Sequence, residues 1–210
     1  MAKFTFKHAV MSAGKSRELA RIHYTYINKD IEQLVLVITP STDNRMGQGV
    51  VSARSGERIN SYSVAPGTMR KWITLALEGL SVLESTKERK LSVILMDEVQ
   101  FFTKEDIFAI KEIACLQEDV PVVAFGLKSD FQNNMFEGAA AAITVAECVE
   151  EIETICAFCN ERAIMNLRFL DGRPVHQGEQ IQIGDSEYRP VCHKHYLDDS
   201  IRITQNYPNE

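Results

Sequence analysis

Residues 9–16 read AVMSAGKS, and what flanks them constrains the fold more than any other feature of this chain. On the N-terminal side Phe4, Phe6, His8 and Val10 fall on one face of an extended segment; on the C-terminal side Leu19, Ile22 and Tyr26 recur with helical spacing. Strand, glycine-containing loop and helix together open a βαβ unit, which leads to a parallel sheet covered by helices. The loop follows the phosphate-loop pattern G-x-x-x-x-G-K-[ST], with Ala9 where the first glycine usually stands. Alanine is the least damaging replacement, because that glycine mainly supplies backbone freedom. Successive backbone N–H groups along Ala9, Val10, Met11, Ser12, Ala13 and Gly14 wrap nucleotide phosphates at the positive end of the helix dipole. Lys15 then reaches the transferred phosphate of ATP, and the Ser16 hydroxyl is a ligand for Mg2+.

The rest of the first 150 residues repeats the alternation. Apolar runs at 34–38, 91–96 and 120–125 read as strands buried on both faces, and 69–83 and 107–116 carry helical apolar spacing. Residues 41–56 are polar and glycine-containing, read as a surface loop, and hold Asp43, Arg45 and Arg54. The strand at 91–96 runs into Asp97 and Glu98, at the sheet edge where α/β proteins bind ligands. Asp97 is the candidate metal carboxylate. Glu98, expected on the other side of the strand, is left the separate task of accepting a proton from an acceptor hydroxyl or aligning a water.

From about Glu151 the pattern changes to cysteine pairs, short alternating runs (Ile164, Leu167, Phe169; Ile181, Ile183) and glycines at 172, 178 and 184, which predicts a small β appendage. Cys156-Ala-Phe-Cys159 and Cys192-His-Lys-His195 form a C-x₂-C and a C-x₂-H knuckle, a set that fits tetrahedral Zn2+. His193 stands as an alternative fourth ligand to His195. Four protein ligands leave no open coordination position, so the zinc is structural. Cys115 and Cys148, alone in apolar contexts, are expected as buried thiols. The organisation predicted is a nucleotide-binding unit at 1–150, a zinc-binding unit at 151–200 and a tail at 201–210. A net charge of −6 excludes a basic nucleic-acid surface, and no apolar run approaches the roughly 18 residues of a membrane span. The N-terminus lacks the apolar core of a secretory signal, which makes the cytoplasm the expected location.

In order along the chain stand the N-terminal phosphate loop, D-E-x-Q-F-F at 97–102, G-L-K-S-D-F at 126–131 and zinc knuckles separated by a long insert. Over about residues 4–197 this set resembles the type II, zinc-containing thymidine kinases. The resemblance implies a P-loop NTPase-type parallel sheet flanked by helices, an α/β fold, with a small C-terminal zinc-ribbon domain. It also implies ATP-dependent phosphorylation of the thymidine 5′-hydroxyl. Carried over by residue, Lys15 and Ser16 serve phosphate and Mg2+, Asp97 the metal, and Glu98 is the catalytic base. Met11, Phe101, Phe131 and Phe136 match apolar residues around base and sugar, and Tyr188 matches a tyrosine of the loop packing over the nucleoside. Asp43 and Arg45 resemble a D-x-R segment beside the active site, and Gln100 a glutamine there. The insert between the knuckles corresponds to a lasso that closes over thymine and reads it with backbone groups. Homotetrameric assembly and inhibition by thymidine triphosphate follow from the same resemblance. This chain departs from it at Ala9, in a Cys₃His rather than Cys₄ metal set, and at Lys128, where relatives often carry arginine.

Two other readings use the same motifs. In a zinc-containing P-loop ATPase, Glu98 polarises water; the acidic charge speaks against a nucleic-acid partner for it. In a nucleotide-dependent binding module turnover has been lost; the intact Lys15, Ser16, Asp97 and Glu98 speak against that.

Overall fold

The computed structural model describes residues 1–29, 33–42, 49–53, 56–87, 90–180 and 187–203. The first segment is a strand, β1 (Phe4–Ala9), that leaves through the glycine loop into helix α1 (Lys15–Ile27). There follow β2 (Gln33–Pro40), a hairpin of β3 (Val50–Ser52) and β4 (Arg58–Asn60), β5 (Tyr62–Val64), α2 (Met69–Lys87), β6 (Lys90–Met96), α3 (Lys104–Ile110), β7 (Val122–Leu127), α4 (Glu137–Val145) and β8 (Cys148–Glu151). Among the described residues six strands, all parallel, form one sheet in the order β5-β2-β6-β7-β1-β8. This is the α/β architecture expected.

Strand alternation builds two cores. Leu36, Ile38, Ile94, Met96, Val122 and Ala124 meet α2, α3 and α4 on one face, while Val37, Val93, Leu95 and Phe125 meet α1 on the other. Phe4, Phe6, Ile38, Ile94 and Leu95 are fully buried; each contributes roughly 1.5–3 kcal/mol of apolar transfer. The second face corrects the reading of 41–56 as loop only: β3 pairs with β4 and sends Val51 and Ile59 against α1's side of the sheet. A three-residue strand carries too little alternation to be seen in a sequence.

Local chemistry sets the helix starts. Thr103 caps α3 in a reciprocal box with Asp106. The same buried carboxylate accepts from Gly67 N–H at 2.7 Å and Met69 N–H at 2.9 Å, tying the start of α2 to the start of α3. After Ile110 the helix widens into π-type turns over Lys111–Gln117.

The C-terminal strands form a separate antiparallel sheet, β10 (Arg173–Val175), β9 (Met165–Leu170) and β11 (Glu187–Val191), followed by a single helical turn, α5 (His193–Tyr196). Asp171 and Gly172, both at positive φ, turn β9 into β10, the Asp-Gly signature of a tight hairpin. Leu167, Phe169 and Val191 pack with Cys156, Cys192 and Tyr196 into a small core, against which Ile201 and Ile203 also lie. No helix among the described residues is long and apolar enough to cross a membrane.

Candidate functional site

The phosphate loop leaves the carboxyl end of β1. Gly14 takes a left-handed conformation at φ +88°, and Lys15 begins α1 with its side chain buried. Ala9 and Val10 are buried at the strand end, Met11 and Ala13 are half-buried, and Ser12 is exposed at φ +60°. Ser16 is half-buried in the first helical turn. The helix N-terminus therefore places backbone N–H groups that have no partner within the helix beside a buried cation.

Asp97 sits at the carboxyl end of β6, with β7 standing between β6 and β1 in the sheet. It is buried, so it is not a carboxylate that merely ends a strand in solvent, and it accepts from Glu98 N–H at 2.9 Å. Glu98 itself does not continue the strand, a correction to the expectation that it points to the strand's other side. It takes a left-handed conformation at φ +49°, at a cost of about 1–2 kcal/mol for a residue with a side chain, and leads into the 3₁₀ turn Val99–Phe101. Strain of this kind is found where a side chain must be aimed. The turn packs tightly because two neighbours are glycine: a Cβ on Gly138 would stand 2.4 Å from the Val99 carbonyl oxygen, and one on Gly126 2.6 Å from Gln100 Oε1.

Gln100 is buried, with its Oε1 accepting from Leu127 N–H at 3.0 Å and its Nε2 donating to Glu98 Oε2. Phe101 and Phe136 meet edge to face at 6.0 Å, and both pack with the main core. Lys128 is half-buried and borders a small cleft with His8, Val10 and Glu151. Burial lowers the His8 pKa, and Lys128 and Arg162 add to that while Glu151 opposes it. Asp43, Arg45 and Arg54 lie outside the described residues, as do Ile181, Ile183 and Gly184.

Period-two alternation on β9 sends Leu167 and Phe169 into the small core and turns Asn166 and Arg168 toward the large sheet. Asn166 Oδ1 accepts from Met11 N–H at 2.7 Å, and its Nδ2 donates to the Ser129 carbonyl at 3.4 Å. The Arg168 guanidinium lies 5.2 Å from the Phe131 ring centroid. Tyr188 pairs with Arg168 and meets Phe131 edge to face at 6.3 Å. Tyr188 thus stands within β11, not in the loop where sequence reasoning put it. Tyr196 donates its hydroxyl to the Phe131 carbonyl at 2.8 Å, and Gln180 Nε2 donates to Asp130 Oδ2 at 3.0 Å. Met11, Phe131 and Tyr188 are so gathered between the two sheets. Asn166, Arg168, Asp130 and Tyr196 were missed. Their only sequence signal was polar residues at alternate positions of an otherwise apolar strand, or hydroxyl and carboxyl groups next to named motifs.

Cys156, Cys159, Cys192 and His195 bring one ligand atom each to within 4.8 Å of one another. Cys159 and Cys192 sulfurs are 3.8 Å apart, and His195 Nδ1 is 3.5 Å from Cys156 Sγ and 3.3 Å from Cys192 Sγ. A tetrahedron with Zn–S about 2.3 Å and Zn–N about 2.0 Å has edges of about 3.8 Å and 3.5 Å, so the donor set fits zinc in size and in chemistry. At Cys156 burial pushes the thiol up, but backbone N–H groups of Cys192 and Phe158 and the neighbouring thiols outweigh it and lower its pKa. Cys192 is lowered by the His195 N–H. Thiolate is the metal-binding form. His193 is exposed and outside this cluster. Cys115 is buried, with burial pushing its pKa up to about 11. Cys148, expected to be buried as well, is only half-buried, because it begins the edge strand β8.

A family model described as thymidine kinase matches residues 2–196. The thymidine kinase of Lactiplantibacillus plantarum is 37% identical over 200 residues, covering 94% of this chain and 96% of its own. That of Lactococcus lactis subsp. lactis is 37% identical over 204 residues and that of Streptococcus pyogenes serotype M3 36% over 202, each covering 96% of this chain and 100% of its own.

Proposed function

The chain belongs to the thymidine kinase family, and from that membership we propose that it transfers the γ-phosphoryl group of ATP to the 5′-hydroxyl of thymidine, in pyrimidine deoxynucleoside salvage. The observation that carries this reading is the pairing of a left-handed Gly14 and buried Lys15 at the start of α1 with Asp97 and Glu98 at the end of β6, both at the carboxyl edge of one parallel sheet.

Phosphoryl transfer asks a protein chiefly for positioning and charge stabilisation. In this reading the loop N–H groups hold the β- and γ-phosphate oxygens, and Lys15 neutralises charge that builds on the transferred group. Ser16 and Asp97 would hold Mg2+, which would supply positive charge to offset that of the phosphate oxygens. Glu98 accepts the proton of the 5′-hydroxyl as that oxygen attacks. Met11, Phe101, Phe131, Phe136 and Tyr188 are assigned to the nucleoside; Asp43 and Arg45 are assigned beside the active site. Cys156, Cys159, Cys192 and His195 would hold a structural zinc that anchors both ends of the lasso insert. The division into 1–150, 151–200 and 201–210, a homotetramer, thymidine triphosphate as inhibitor and a cytoplasmic location belong to the same proposal.

Thymidine-dependent ADP production from ATP tests the reading. ADP released equally without thymidine supports the ATPase instead, and no ADP under either condition supports the binding module.

A further inference from the structure

The side-chain amide of Gln100 has one orientation that satisfies its surroundings. The Leu127 backbone N–H, 3.0 Å away, can only donate, so the atom facing it is Oε1. That leaves Nε2 toward Glu98, and Glu98 Oε2 accepts from it. Gln100 is 3% exposed, on a 3₁₀ turn against which Gly126 and Gly138 pack closely enough that a Cβ on either would clash. Leu127 ends β7, the strand between the phosphate-loop strand and the carboxylate strand. The amide therefore links the Glu98 carboxylate to the rigid middle of the sheet, two residues beyond a backbone held at φ +49°.

We propose that Gln100 is a positioning residue for phosphoryl transfer: it does not bind the nucleoside but holds one oxygen of Glu98, so that the other is aimed at the acceptor hydroxyl. This rests on Glu98 being the base. A glutamate carboxylate has three side-chain torsions to fix before it meets a hydroxyl in line, and a fixed donor on Oε2 restricts that freedom before substrate arrives.

The test is a double-mutant cycle with steady-state kinetics on the full chain. Gln100→Met keeps the volume and deletes both hydrogen bonds; it should lower kcat by about 10- to 100-fold while KM for thymidine and for ATP stays within about twofold. In a Glu98→Gln background, itself about 10²–10⁴-fold slower, Gln100→Met should cost nothing further, since the group it positions has gone. Gln100→Glu retains an acceptor for Leu127 N–H and removes the donor, and should reproduce the kcat loss if the methionine variant does not fold. An equal loss in both backgrounds, a rise in thymidine KM at unchanged kcat, or failure of both variants to fold would overturn the proposal and make Gln100 a structural or substrate residue. Unchanged turnover in Glu98→Gln alone removes Glu98 as the base and is a separate outcome, read from its own arm of the cycle.

Discussion

The parallel sheet and the C-terminal antiparallel sheet are held by different physics. The parallel sheet has apolar cores on both faces, with Phe4, Phe6, Ile94, Leu95 and Phe125 excluded from water, and so carries its own stability. The antiparallel sheet has one small core, in which Cys156 and Cys192 stand where a larger unit would place leucines. A sheet of that size buries little apolar surface against its chain entropy, and its Cys₃His cluster is compatible with a zinc clamp that would close it. The comparison separates stability from function: each region supplies residues to the proposed site, but only the small one carries a donor set that fits an ion.

Removing zinc is the largest expected effect and the sharpest way to break that contrast. Bound structural zinc is worth about 10 kcal/mol or more to a small unit. Chelation, or Cys159→Ser, should therefore abolish amide protection in β9 and β11 while β1, β6 and β7 keep theirs, as read by hydrogen exchange. Persistent protection in β9 would mean that the small core suffices alone. Next comes Lys15→Ala, expected to lower turnover by about 10³-fold with the melting temperature unchanged, which tests whether the large sheet keeps its fold without the buried lysine proposed to hold phosphate. Asp106→Ala should cost about 3 kcal/mol, because it leaves the Gly67 and Met69 N–H groups without their acceptor; urea titration should show this loss in the parallel sheet alone.

The smallest effect concerns the ion pairs on β1's polar face. Lys7 lies 2.5 Å from Glu150 and 3.4 Å from Glu18, and Arg21 also pairs with Glu18. Lys7 holds the Glu150 carboxyl below its ordinary value of 4.5, and Glu18 is held down first by Arg21 and then by Lys7. Carboxyls depressed in the folded state contribute fully above their unfolded value and lose that contribution as pH falls through the folded one. Lys7→Met should therefore lower stability by about 0.5 kcal/mol near neutrality and by less at pH about 3, measured as urea midpoints. An equal loss at both pH values would point to packing of the lysine stem.

Much of the large sheet was legible because strands buried on both faces leave continuous apolar runs, as at Val93–Ile94–Leu95–Met96. The glycine loop and the zinc knuckles were legible because backbone conformation and metal geometry restrict residue type at fixed spacing. Hidden were β3, too short to show a period; the Thr103 cap, whose box closes with aspartate rather than glutamate; and the left-handed turn at Glu98, which no residue preference announces. Tyr188 read as loop because the residues before it are polar, although it pairs with Arg168 in a strand.

By itself the sequence determined most strands and helices of the large sheet, the candidate phosphate and metal groups, and the family. Those follow from local rules: periodicity, permitted backbone angles and ligand spacing. Only the tertiary structure decided that Asn166 reaches across 155 positions to the Met11 N–H, that Arg168 and Tyr188 share the face looking at Phe131, and that Gln100 is spent on Glu98 and Leu127. Hydrogen bonds and ring contacts depend on which face of a strand meets which loop, and that is set by packing between sheets rather than by distance along the chain.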